Sequence, residues 1–450
     1  MTSSDDPLAA FIDAACVPLD SGHSSGTLER AEAILAAHPE IPSSGIHAAA
    51  ILGDDAAVRR LLEREPGSAT AKGGPRGWDA LTHLCFSRYL RLDRTRSEGF
   101  VRAATALLDA GASANTGRTE PNHEPDPEWE SALYGAAGIA HHPELTKLLL
   151  ERGADPNDGE VVYHTPESYD NRALQLLVGT GELTDESLSL MLVRKHDWHD
   201  YDGIKWLLER NADPNFTRRW GLRALHHALA RDNSLEIIAL LLDHGADPAL
   251  ISSGRSAVAM AARGGRSDVL DLFEQRGIPI DLYGVDELIA ACARNDADGV
   301  RAIAGRNPRL VGELVAEGAS LLAEFAGTGN RDGVRQLLDL GVDVAVLYEG
   351  NGYWGIAKDS MAIHVAAWRA NHATVKLLIE RGSPIEVRDG KGRTPLALAV
   401  RACVDSYWAY RRSPESVEAL LHAGASTSGV SFPSGYAEVD ELLRRHAREG

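Results

Sequence analysis

Residues 221–248 read GLRALHHALARDNSLEIIALLLDHGADP, and this stretch decides the architecture. Apolar residues recur at helical i, i+3, i+4 spacing twice, first through Ala224, Leu225 and Ala228, then through Ile237, Ile238 and Leu241. Two short antiparallel helices joined by a tight turn follow. Gly245 supplies a left-handed cap that stops the second helix. Asp247-Pro248 then turns the chain outward, because proline cannot continue a helix.

The closing half of this unit recurs along the chain. It ends as LLDAGASAN at Asn115, LLLERGADPN at Asn157, LLERNADPN at Asn215, LFEQRGIPI at Ile280, LLDLGVDV at Val344, LLIERGSPI at Ile385 and LLHAGAST at Thr427. Its landmark positions are Gly111, Gly153, Asn211, Gly245, Gly277, Gly341, Gly382 and Gly424. They stand 42, 58, 34, 32, 64, 41 and 42 residues apart. The values 34 and 32 give the unit, 58 and 64 are two units, and those near 42 are a unit with an insertion. One helix pair cannot bury its own apolar faces, so copies must stack to share a core.

The pattern resembles the ankyrin-repeat family. The family opening T-P-L-H-x-A-A is matched by Thr394-Pro395-Leu396, by Leu225-His226-His227-Ala228, by Ile363-His364-Val365-Ala366-Ala367 and by Ile46-His47-Ala48-Ala49-Ala50. The close G-A-D-P-N stands verbatim at Gly153 to Asn157. The resemblance covers residues 28 to 426 and implies an all-α solenoid of about 12 helix-turn-helix units with β-hairpin-like fingers. It implies that His47, His226 and His364 hydrogen-bond backbone between copies, and that partners are held on a concave face of fingers and inner helices. Tyr134 departs from the motif histidine, and the copy near residues 170–181 is short of an inner helix. A single array over 27–450 is expected, behind a loosely held tail at 1–26 and closed by a polar helix at 437–447.

The 450 residues carry 46 basic and 65 acidic side chains, a net charge of −19. Such a chain is repelled by nucleic-acid phosphates and anionic membranes, so neither is an expected partner. No apolar run approaches the ~20 residues that cross a bilayer, and the N-terminus lacks the basic start of a secretory signal. A cytoplasmic monomer is expected. Cys16, Cys85, Cys292 and Cys403 lie far apart with no C-x-x-C, which fits neither a disulfide framework nor a thiolate metal site.

Individuality lies in the insertions. Those at 116–130, 158–170 and 346–359 fall at fingertips; those at 87–98, 195–201 and 403–413 fall between the helices of a copy. The first finger gathers Glu120, Glu124, Asp126, Glu128 and Glu130 around Trp129, whereas 87–98 carries Arg88, Arg91, Arg94 and Arg96. These are solvated loops or a bipolar field that steers a charged partner. Aromatics concentrate at Tyr163, Trp198, Trp220, Tyr353, Trp354, Tyr407 and Trp408, residues suited to binding hot spots or to covering the loops.

The favoured function is a protein-interaction module or scaffold, without catalysis or cofactor. A second reading stays open. The short copy leaves a gap bordered by Tyr163, His164 and Glu167 and approached by Arg218, Arg219, Trp220 and His227, a place for a small molecule or acid–base chemistry on an anion. His196 and His199, interleaved with Asp197, Asp200 and Asp202, are weak metal candidates. No phosphate loop, dinucleotide fingerprint, nucleophile elbow or H-E-x-x-H occurs.

Overall fold

A computed structural model describes residues 6–19, 22–120, 127–217 and 223–449. Its contacts divide the chain into two units, one of Met1–His227 with Asp243–Ala246 and one of Ala228–Leu242 with Asp247–Gly450.

The first unit is built from short helix pairs in series: Ile46–Ile51 with Asp55–Arg64, Ala80–Cys85 with Ser97–Asp109, and a helix starting at Ala132–Tyr134 with Pro143–Glu151. Gly159–His164 with Arg172–Gly179 and Asp185–Lys195 with Tyr201–Leu208 follow. Each pair leans on the next, Ile46–Ile51 on Ala80–Cys85 and Gly159–His164 on Asp185–Lys195. In the second unit Ala257–Arg263 packs on Val285–Ala293, and Gly318–Thr328 on Ala362–Trp368 and that in turn on Pro395–Asp405. The double spacing before Gly341 holds the extra helix Arg309–Ala316. The last helix runs Ala437–Glu449 and packs on Glu415–His422.

The eight landmark positions all have positive φ, from 66° at Asn211 to 100° at Gly341. Asparagine tolerates this region better than other side chains, which is why Asn211 replaces glycine there. The closing asparagines do work the motif alone did not reveal. Asn115 donates to Gly153 O at 2.7 Å and accepts from Asp155 N at 2.8 Å, so it ties one finger to the next. Asn157 repeats this with Glu182 O and Thr184 N, and Asn215 donates to Gly245 O. His47 and His364 accept the role expected of them, reaching Ala71 O and Val387 O at 3.2 and 3.0 Å.

Three expectations change. The described part of residues 1–26 is no loose tail: Pro7–Ala15 is a helix capped by Asp6, and Phe11, Ile12, Ala15, Cys16 and Val17 are buried. Apolar spacing over nine residues is enough to dock once a neighbouring pair offers a face. Residues 158–170 are not a fingertip insertion, since Gly159–His164 is the helix that the short copy was expected to lack; Val161 and Val162 are buried and fill the supposed gap. The arginines of 87–98 are not a free field. Arg88 donates to Ala14 O, Arg94 to Ala140 O and Arg96 to Leu52 O, so they bind chain carbonyls. The acidic finger is a hairpin of β1 (Gly117–Glu120) and β2 (Glu128–Ser131). All four cysteines are buried and unbridged, and burial raises Cys16 to about 11.

Candidate functional site

Tyr163, His164, Glu167 and His227 are linked through two residues whose part the sequence did not show. His164 ends the helix Gly159–His164 and lies between Glu160, at 3.2 Å from Nε2, and Glu167, at 3.1 Å from Nδ1. Arg194, near the end of Asp185–Lys195, pairs with both Glu167 and Asp197 and places its guanidinium 4.0 Å over the Tyr163 ring. Asp197 then meets His227 Nε2 at 2.9 Å. The chain of groups is Glu160, His164, Glu167, Arg194, Asp197, His227, in which carboxylates alternate with basic side chains. Burial alone opposes charge on His164, but the hydrogen bonds to Glu160 and Glu167 outweigh it and raise the imidazole to about 9. Burial likewise pushes Glu167 up, and the opposing pull of His164 and Arg194 holds it below its ordinary value.

Every carboxylate in this chain faces a cation or an imidazole. General acid–base chemistry needs a group turned toward a substrate, whereas His164 and Glu167 are turned toward each other and Arg194. The gap expected here is filled, and the arrangement is that of a structural relay, so the enzyme or small-molecule reading loses its geometric ground. Arg218, Arg219 and Trp220 lie outside the described residues.

Among the described residues, the histidine–aspartate turn gathers no set of three metal ligands. His196 is fully buried, its Nδ1 bonded to Leu192 O at 2.7 Å, and burial pushes it down to about 3. Asp200 caps the helix Tyr201–Leu208 through Gly203 N and pairs with Lys195 Nζ at 2.8 Å. His199 takes φ 50°, the residue that ends the helical turn His196–Trp198. A helix end and a cap explain the pattern that sequence spacing made suggestive.

Among the described residues, three potential ligands do converge elsewhere, His23, Glu120 and Glu130, their atoms within 4.8 Å of one another. Arg118 already occupies this group. Its Nη2 lies 3.1 Å from His23 Nε2 and pairs with Glu130, while Tyr134 Oη lies 2.8 Å from His23 Nδ1. A guanidinium on the imidazole lone pair leaves no ligand set for a cation. Burial, with Glu120 beside it, pushes Glu130 up, so one proton and Arg118 balance the two carboxylates. Tyr134, standing where the motif has histidine, makes this contact possible. No signal in the sequence linked His23 to a finger about a hundred residues away.

The aromatic candidates divide. Trp354 and Trp408 are core residues, 8% and 4% exposed, with ring centroids 4.8 Å apart. The guanidinium of buried Arg369 lies 4.5 Å from one ring and 4.2 Å from the other and pairs with Asp232. They are therefore withdrawn as surface contacts: an insertion loop needs its own apolar anchor, and the large rings serve as one. Their neighbours point outward. Tyr353 and Tyr407 are about half exposed, Tyr410 more so, and Tyr353 rests under Arg231 at 3.7 Å. In the first unit Trp129 is exposed on β2, and half-buried Trp198 meets exposed Tyr169 edge-on at 5.1 Å.

A family model of ankyrin repeats, three copies, matches residues 190–283. Two mammalian relatives, the diacylglycerol kinase iota of Mus musculus and of Homo sapiens, are 32% and 31% identical over 124 residues, 26% of this chain. The chain spans 11% of their length, so their activity says nothing about this one. Among solved structures, the human ASB11 ankyrin repeat domain aligns with 48% of this chain and 90% of its own, at 22% identity and a TM-score of 0.37. Residues 190–283 of the chain thus carry ankyrin repeats.

Proposed function

Taking those ankyrin repeats as the premise, we propose that the chain is a protein-interaction module, a non-catalytic scaffold without cofactor. The observation that supports it is the way the insertions are built. In residues 346–359 and 403–413, Trp354 and Trp408 hold the loop inside while Tyr353, Tyr407 and Tyr410 stand outside. In the first unit Trp129, Tyr169 and Trp198 are displayed in the same way. Rigid aromatic surface held on an ordered support binds a partner at small entropic cost. The partner-facing set is accordingly Trp129, Tyr169, Trp198, Tyr353, Tyr407 and Tyr410, with the family's finger-and-inner-helix face as the expected locus. A net charge of −19 favours a basic protein over nucleic acid or an anionic membrane, in the cytoplasm.

The test compares quantitative capture by the native protein with capture by Tyr353→Ala/Tyr407→Ala/Tyr410→Ala, the two matched by circular dichroism. A partner retained by the native protein and weakened at least about tenfold in the variant supports the reading. Equal capture by this variant and by Trp129→Ala/Tyr169→Ala removes the exposed aromatics from the site.

A further inference from the structure

We propose that residues 22–26 are a latch that fills a side-chain pocket with His23, and that this pocket takes the neutral histidine side chain of a protein partner once the latch lifts. The pocket lies on the finger-and-inner-helix face, so the proposal rests on the interaction role above and names what is recognised there. Arg118 on β1 and Tyr134 on the helix that follows the hairpin form its two ends. Arg118 Nη2 donates to His23 Nε2 at 3.1 Å, so Nδ1 carries the proton and donates to Tyr134 Oη at 2.8 Å. Burial and the Arg118 charge hold the imidazole below its ordinary pKa and keep it neutral, against the pull of Glu120.

The pocket has supports of its own. The Arg118 guanidinium lies 5.4 Å from the Trp78 ring centre and 5.2 Å from that of Phe86, and it pairs with buried Glu130. The Tyr134 ring meets Phe86 edge-on at 6.1 Å. The latch is built the other way. Gly22 and Gly26 take φ of 91° and 87°, and residues 22 and 24–26 are exposed. His23 alone among them turns inward, its side chain 12% exposed. The rest is held by its carbonyls, Arg88 reaching Ser25 O at 3.3 Å and Arg91 reaching Ser25 O and Gly26 O at 3.5 Å. A loop with one buried side chain and a left-handed glycine at each end opens at small cost.

A donor at one end and a hydroxyl acceptor at the other match the two nitrogens of a neutral imidazole. Lysine and arginine offer Arg118 no acceptor, and phenylalanine offers neither group, so each leaves a polar wall unpaired.

Fluorescence polarisation tests this with the labelled peptide acetyl-GHSSGT-amide, the sequence of residues 22–27, and with versions carrying alanine, lysine or phenylalanine for histidine. The native chain is expected to bind the histidine peptide weakly, because a pocket filled from within lowers apparent affinity by the fraction open. His23→Ala is expected to bind it at least about tenfold more tightly, and to prefer it to the other three. Gly26→Val should fall between: its Cβ would stand 2.7 Å from the Arg88 guanidinium at a φ that valine avoids, which lifts the latch and leaves the pocket as it is. Tyr134→Phe added to His23→Ala should return binding to the native level. Equal binding of the histidine and alanine peptides by His23→Ala, or equal binding of the histidine peptide by the native chain and both latch variants, would overturn the proposal. Gly26→Val keeps every pocket residue, so it decides even if His23→Ala folds poorly. Partner capture by the tyrosine variant is measured without these peptides, so a failure here strikes the pocket and a failure there the wider interaction role.

Discussion

His164 illustrates how one imidazole takes its charge from its neighbours. Two carboxylates hold it near pKa 9 although burial works against them. The charged form therefore stabilises the fold: the contribution is complete below about 6.5 and is lost as pH rises through about 9. NMR titration of the ring should show a midpoint well above that of an ordinary histidine, moving downward in Glu167→Gln. His196 should titrate in the opposite direction and stay neutral until about pH 3. An ordinary midpoint for His164 would mean that Glu160 and Glu167 do not act on it as the distances imply. The same scale separates neighbours in the second unit. Trp354→Ala should cost about 3–5 kcal/mol in thermal or denaturant unfolding, because it empties a packed site and strips Arg369 of one ring. Tyr353→Ala should stay within about 1 kcal/mol. Similar losses for the two would contradict the burial seen here.

Single elements carry more than their length suggests. The helix Pro7–Ala15 brings four buried apolar residues, and it and the segment behind it accept hydrogen bonds from Arg88 at Ala14 O, from Arg76 at Val17 O and from Arg118 at Leu19 O. Deleting residues 1–26 should therefore destabilise the first unit and raise amide exchange over Ala80–Cys85 and the β1–β2 hairpin. Unchanged exchange would restore the loose tail that composition suggested. Close approach of elements is as demanding. A Cβ at Gly135 would stand 2.6 Å from Cys85 O, a backbone atom that cannot move alone. Gly135→Ala should cost about 1–3 kcal/mol in denaturant unfolding, by forcing two neighbouring helices apart. A neutral result would show that this contact is looser than drawn.

At the scale of the whole chain, charge is the property that the sequence fixes without reference to shape. With −19 overall, association with a basic partner should slow as salt rises, while retention on immobilised duplex DNA should be negligible at physiological ionic strength. Stopped-flow association rates across salt concentrations check the first, and tight DNA retention would contradict the second. Much of the net charge is already organised within the fold. Arg369 and Arg266 both pair with Asp232, and Arg118 with Glu130, and all five side chains are largely buried. Arg369→Ala should cost about 3–5 kcal/mol in the second unit, and Arg369→Lys should recover little of it, since an ammonium cannot lie flat between Trp354 and Trp408.

The helix pairs, their left-handed caps and the finger turns were legible in the sequence because each depends on residues a few positions apart. A helix needs apolar spacing, a cap needs glycine or asparagine, and a turn needs Asp-Pro, so Gly245 and Asn211 declare themselves. The helix Gly159–His164 escaped because six residues are too few for a periodic signal, and they follow a finger that masks their start. Long-range pairing was decided only in three dimensions. His23 meeting Tyr134, Arg194 bridging Glu167 to Asp197, and Trp408 covering Arg369 join groups 27 to over a hundred residues apart or loops with no period. Whether an aromatic in an insertion anchors the loop or faces a partner is likewise a matter of burial, and burial belongs to the packed chain: Tyr353 and Trp354 are adjacent in sequence and opposite in fate.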